Sequence, residues 1–207
     1  MLSKTELSKL QQSLTDYDRT REKLLELARK TTRLAGLAIM QTHRGQISKA
    51  KATLKEAKEN ITQMQVLLDQ NSEFRQVGYV IVASQEFVEA KILYDFVNRQ
   101  ALLSQGEIGV GWMPYLLGLL DFIGELRRMT MDQLKAGKLK DAQRTFESME
   151  TIYEDLLMLD RTSIVPTFRR KMDVAKKLIE ATRSDVIADI RKASLEKAMK
   201  DLEKRIR

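Results

Sequence analysis

The stretch Tyr79–Phe96, YVIVASQEFVEAKILYDF, decides the fold. It is the most apolar part of the chain, yet Glu86, Glu89 and Lys91 interrupt it. A membrane span needs about 20 predominantly apolar residues with few or no charges, so this run reads as a buried helix of a water-soluble protein. The pattern predicts a helix from about Phe74 to Leu103 that is apolar nearly all round, and such a helix lies at the centre of its fold. At about 100° per residue, Val82, Glu86, Glu89, Leu93 and Phe96 fall within roughly a third of its circumference. Two acids on a packing face need a partner, because a buried charge is costly when unpaired.

Upstream, Leu7, Leu10, Leu14, Tyr17, Leu24, Leu27, Ala28, Leu34 and Ala38 recur at helical spacing and predict a first helix from about Ser3 to Gln41. Thr42-His43-Arg44-Gly45 ends it, with glycine available for a left-handed cap. A second helix is expected from about Ile47 to Asp69, with the stripe Ala50, Leu54, Ala57, Ile61, Met64 and Leu68. Downstream, residues 104–111 form the glycine-rich segment. No Lys-Ser or Lys-Thr closes it and no strand precedes it, so it is not a phosphate-binding loop. Pro114 suits the first turn of a fourth helix reaching about Ala136, and Gly137 stops it. A fifth helix is expected over Leu139–Leu159. Thr162 or Ser163 is placed to cap the next, with Pro166 in its first turn. Helical pattern then runs from Phe168 to the end, with a break expected near Arg183-Ser184-Asp185. The tail beyond about residue 185 is heavily charged. Its thin stripe of Val186, Ile190, Leu195, Ala198 and Leu202 needs a neighbour to pack on. No strand signal or internal repeat is present. The expectation is an all-α single domain over 1–207, an antiparallel helical bundle of about six or seven helices with a charged C-terminal extension.

Composition narrows the chemistry. The chain has 207 residues, two prolines and no cysteine, so disulfides, zinc-thiolate centres and thiol catalysis are excluded. The N-terminal Met1-Leu2-Ser3-Lys4-Thr5-Glu6 has no apolar signal core, and the expected location is cytoplasmic with no membrane association. A net charge of +7 and a sequence pI near 9.5 favour an anionic partner, with nucleic acid foremost. Arg169, Arg170, Lys171, Lys176 and Lys177 form a basic band suited to phosphate or simply to solvent. Tyr79, Trp112, Tyr115 and Phe168 are either core or stacking surfaces for bases.

A second acid pair, Asp121 and Glu125, shares a face of the fourth helix with Leu117, Gly118 and Arg128, and Gly124 lies at its edge. Two glycines without side chains allow a neighbouring helix to come close. If these two faces meet, four carboxylates converge. Like charges in low dielectric oppose each other's ionisation, and a hard divalent cation removes the conflict with oxygen ligands alone. The plain alternative is that the acids face water or pair with cations, Arg127 or Arg128 neutralising one and Lys91 another. A di-iron centre wants Glu-x-x-His pairs, and the only histidine, His43, is not so placed.

The segments Gln85-Glu86-Phe87-Val88-Glu89-Ala90 and Tyr115 to Met129 (YLLGLLDFIGELRRM) closely resemble the two signature segments of the translin family, nearest its translin-associated factor X (Trax) branch. Met40-Gln41-Thr42-His43-Arg44 resembles the end of that family's first helix. Phe168-Arg169-Arg170-Lys171-Met172-Asp173-Val174 resembles translin's basic C-terminal segment. The likeness spans roughly Leu14 to Asp185. It implies an all-α protomer assembling into a hollow barrel, a homo-octamer, with RNA inside. It further implies a metal-dependent endoribonuclease that cleaves single-stranded or partly paired RNA. Glu86, Glu89, Asp121 and Glu125 would be both catalytic and metal-binding, using Mg2+ or Mn2+. Arg44, Arg127, Arg128, Arg169, Arg170 and Lys171 are the candidate nucleic-acid contacts. The long insertion of eukaryotic Trax is absent, and a compact chain that combines these acids with a translin-like basic segment suggests a self-sufficient, prokaryotic homo-oligomer. The alternative is a non-catalytic protein of the translin type that binds single-stranded DNA or RNA.

Overall fold

The computed structural model describes residues 2–99, 102–159 and 165–206. Among these there are seven α-helices, a single 3-10 turn and no strand. The helices are α1 (Lys4–His43), α2 (Ile47–Gln70), α3 (Gly78–Arg99), α4 (Gln105–Ile108), α5 (Trp112–Lys135), α6 (Leu139–Leu157) and α7 (Pro166–Ile206). The 3-10 turn is Ser72–Gln76, so the helix expected from Phe74 begins after a break at Val77. The proposed caps Thr162 and Ser163 lie outside the described residues. Packing divides the chain into two compact units, Met1–Gly118 and Leu119–Arg207, and the division falls inside α5.

In the first unit α1 packs on α2 and α3. The buried face of α1 is Leu24, Leu27, Ala28, Thr31, Leu34, Ala35, Ala38 and Ile39, the i, i+3, i+4, i+7 pattern of an amphipathic helix. Ala35, Ala38, Ala50, Ala57, Ala83 and Ala90 are fully buried, and such small side chains let helix axes draw together. Thr31 is buried without cost because its hydroxyl donates to the Leu27 carbonyl at 2.9 Å. Gly45, at φ 69°, closes α1: Gln46 N–H donates to Gln41 O at 2.9 Å and Gly45 N–H to Thr42 O at 3.0 Å. This is the Schellman arrangement, and its left-handed residue favours glycine.

The first turns of α1 depart from expectation. Leu7, Leu10 and Leu14 are exposed, and burial begins only at Leu24. Tyr17, also exposed, rests its ring 4.6 Å from that of Phe74. Helical period tells which residues share a face; it does not supply a partner for that face.

The glycine-rich segment is not loop throughout. It carries α4, a single turn held by a capping box. Ser104 N–H donates to Glu107 Oε2 at 2.7 Å, and Ser104 Oγ accepts from Glu107 N–H. Two side chains of α2 fasten its end. Lys58 Nζ donates to Ile108 O at 2.6 Å, and Gln65 donates to Gly109 O. Burial, then the nearby Lys91 charge, pushes the Lys58 ammonium below its ordinary pKa.

In the second unit α6 packs on α7. α7 buries Phe168, Met172, Ala175, Ile179, Thr182 and Val186, a stripe at alternating steps of four and three. Arg183 Nε donates to Glu150 Oε1 at 3.1 Å and ties the two helices at their surface. The break expected at Arg183–Asp185 does not occur: α7 is continuous, and Ser184 donates back to Glu180 O at 3.2 Å. Beyond Ile190 every described residue of α7 is exposed, Leu195 and Leu202 included, so the tail finds no neighbour within its own unit.

Candidate catalytic site

α3 carries the first acid pair. Its faces are buried on both sides through Val80, Ala83, Phe87, Val88, Ala90, Ile92 and Leu93, as its composition requires. Glu89 lies on this packed surface at 9% exposure, and Glu86, one turn earlier, is half-buried. Six residues beyond Glu89 lies Asp95, which sequence reasoning passed over; at 1% exposure it is the most deeply buried carboxylate among the described residues. Lys91 donates to Asp95, with Arg99 Nε at 3.9 Å. Lys91 therefore pairs with Asp95, an acid outside the four for which the sequence offered it as a neutralising cation. The i, i+4 spacing of Lys91 and Asp95 was the available signal.

The glycines of α5 behave differently from each other. A Cβ on Gly118 would stand 2.6 Å from Val88 Cγ1 and 2.9 Å from Gln85 O, so α5 begins in tight contact with α3 at the turn bearing the first acid pair. A Cβ on Gly124 would meet nothing within 4 Å. Only one of the two supports the close approach expected of both.

The second acid pair lies on α5 within the second unit. Asp121 and Glu125 are one turn apart, with side chains 21% and 19% exposed. Asp121 Oδ1 accepts a hydrogen bond from Lys171 Nζ of α7. Arg128 Nη1 stands 3.9 Å from Glu125 Oε2. The basic band thus contributes Lys171 directly to an acid of the predicted site, a pairing across 50 residues of chain that periodicity does not report.

The other predicted cations take distinct places. Arg127 is used inside the fold. Its Nη1 donates to Thr182 Oγ1 at 2.6 Å and to Leu178 O at 3.4 Å, and its Nη2 to Asp185 Oδ2 at 3.4 Å. Arg44 caps α1 through its backbone and is exposed, as are Arg128, Arg169 and Arg170. Of the aromatic candidates, Phe168 is core, Tyr79 and Tyr115 are half-buried, and Trp112 is 53% exposed. Tyr115 OH donates to Leu103 O at 3.0 Å.

Among the described residues no three His, Asp or Glu side chains are grouped closely enough to hold a metal ion together. Each unit does supply a carboxylate pair on one helical face. Magnesium is commonly held through one or two carboxylates while keeping several waters, so either pair fits that cation in donor chemistry. Asp121 also already receives positive charge, from the Lys171 ammonium.

The helix order and packing define an all-α protein of long paired helices. No described helix is long and apolar enough to cross a membrane. The Translin family profile matches residues 3–182, and the chain belongs to the translin family. Uncharacterized protein MJ0175 of Methanocaldococcus jannaschii is 34% identical over 197 residues, covering 94% of this chain and 87% of that protein. The structure of apo-NeC3PO resembles it with a TM-score of 0.83 at 23% identity, covering 91% of this chain and 98% of that one, a likeness of fold. The complex of AfC3PO with duplex RNA gives 0.78 at 29% identity, covering 88% and 95%. AfC3PO itself gives 0.74 at 30%, covering 88% and 96%.

Proposed function

We propose that this protein is a magnesium- or manganese-dependent endoribonuclease of the Trax type, cytoplasmic, working as a homo-octameric barrel on single-stranded or partly paired RNA. One observation carries the reading. The chain keeps acids at Glu86, Glu89, Asp121 and Glu125, on half-buried or buried helical faces, in a family where a similar structure holds duplex RNA.

In this reading Glu86 with Glu89, and Asp121 with Glu125, are the carboxylates that would hold metal, and one carboxylate would take a proton from the attacking water. A bound magnesium ion would lower the pKa of that water and stabilise charge on a phosphoryl oxygen. Arg44, Arg128, Arg169 and Arg170, all exposed, contact RNA phosphates; Lys171 joins them when it leaves Asp121. Arg127 acts indirectly: its hydrogen bonds to α7 hold in place the helix that carries Asp121 and Glu125.

A second reading has a specific observation behind it. Asp121 and Glu125 each have a cationic neighbour, Lys171 and Arg128, as expected of acids that only stabilise the fold. The protein would then bind single-stranded RNA or DNA without cutting it. Incubation of end-labelled single-stranded RNA with Mg2+, with and without chelator, separates the two. The nuclease reading expects chelator-sensitive internal cuts, lost in Glu89→Ala and Asp121→Ala while RNA binding and assembled mass persist. Full cleavage by either variant would reject the assigned acids. Binding without cleavage would establish the second reading.

A further inference from the structure

Lys171 is the described cation most directly engaged with the predicted site, and its surroundings set it apart from the surface pairs. Its neighbours along α7, Phe168 and Met172, are both 5% exposed, so the helix is anchored on either side of it. Its side chain is 24% exposed and that of Asp121 is 21% exposed. Elsewhere on α7, Lys176 and Glu180 are 63% and 58% exposed at 4.0 Å, where solvent screens most of their attraction. The Lys171 and Asp121 charges are therefore coupled through much less water. The ammonium contacts Asp121 Oδ1, an oxygen that a metal at this carboxylate would use.

We infer that Lys171 is an internal competitor for the metal: its ammonium holds Asp121 in the metal-free protein and must be displaced before a divalent cation can bind there. This rests on the reading of Asp121 as a metal ligand. The consequence is electrostatic. A metal ion approaching Asp121 meets a carboxylate already compensated, beside a positive charge that repels it. Affinity for the metal is lowered by that amount, and the concentration at which the site fills is set by Lys171. Once displaced, the ammonium is free to pair with an RNA phosphate, so RNA and metal favour each other's binding.

The test is direct Mn2+ binding to the full-length protein without RNA, followed by the electron paramagnetic resonance signal of free Mn2+. Lys171→Met removes the charge and is expected to tighten Mn2+ binding about tenfold, as loss of a neighbouring like charge shielded from water does. Lys171→Gln is a second neutral variant, should the methionine fold poorly. Lys171→Arg keeps the charge and stays within a factor of about two of wild type. Asp121→Asn weakens binding whether or not Lys171 is present. If wild type binds Mn2+ and neither neutral variant changes the affinity, while melting shifts downward, Lys171 is a fold-stabilising partner only and the inference fails alone. If neither wild type nor the neutral variants bind Mn2+, this inference and the metal-dependent reading fail together.

Discussion

Replacing Gly118 with alanine probes the point where α5 draws up against the acid-bearing turn of α3. The added methyl would lie 2.6 Å from Val88 Cγ1, 2.7 Å from Val88 Cβ and 2.9 Å from Gln85 O. None of these is the far end of a flexible side chain. Val88 is fully buried and β-branched, so its rotamer is confined, and the Gln85 carbonyl belongs to a helix. Three contacts of this kind place the overpacking cost at about 3 kcal/mol, the upper part of the usual range. Alanine regains about 1 kcal/mol of helix propensity over glycine. The net loss is about 2 kcal/mol, which for a chain of this length lowers the melting midpoint by about 4–8 °C. Gly124→Ala is the internal control. It meets nothing within 4 Å, so propensity alone acts and the midpoint rises by about 2–4 °C. Calorimetry of the two variants should therefore show shifts of opposite sign. Adding Val88→Ala to Gly118→Ala should cost less than the two changes summed, because they share one space. A Gly118→Ala protein melting at or above wild type would refute the packing argument.

Three further outcomes follow from the same geometry. Lys58→Met leaves the Ile108 carbonyl without its charged donor; a loss of about 1–3 kcal/mol is expected, with faster amide exchange across residues 104–111. The depressed pKa of Lys58 fixes a sign. Between its folded value and the ordinary value near 10.4 the unfolded chain binds more protons, so wild type gains stability relative to Lys58→Met as pH rises through that window. Denaturant titrations at stepped pH check it, and a flat difference would contradict it. Arg127→Met removes the hydrogen bonds to Thr182 Oγ1, Leu178 O and Asp185 Oδ2 and should cost about 1–3 kcal/mol by thermal melting, with α7 amides exchanging faster than those of α1.

The helices were legible because their signals are local. The step from Gly45 to Gln46 closes α1 as a glycine after a helical stripe should, and the apolar run at Tyr79–Phe96 packs on both sides as its composition demands. Ser104-x-x-Glu107 was equally local and spells a capping box within the glycine-rich segment. What periodicity does not report is the partner. Leu7, Leu10 and Leu14 have the same spacing as Leu24 and Leu27, yet only the latter are covered. Gly118 and Gly124 sit on one helix and differ only in what stands opposite. For the site, spacing puts Glu89 on a buried face of α3, whereas Val82 of the same stripe is exposed and the cation for Asp121 lies 50 residues away on α7. Lys91 pairs with Asp95 at i+4, a partner that helical geometry alone makes legible. The reaction itself came from family resemblance, since carboxylate pairs alone do not distinguish ligands from salt-bridge partners.

Diffraction from crystals soaked in Mn2+, recorded at the manganese absorption edge, bears most directly on the proposed chemistry. The nuclease reading predicts anomalous density bonded at about 2.0–2.2 Å to carboxylate oxygens among Glu86, Glu89, Asp121 and Glu125, with Lys171 moved off Asp121. Crystals that take up manganese elsewhere, with Lys171 still donating to Asp121, would contradict it.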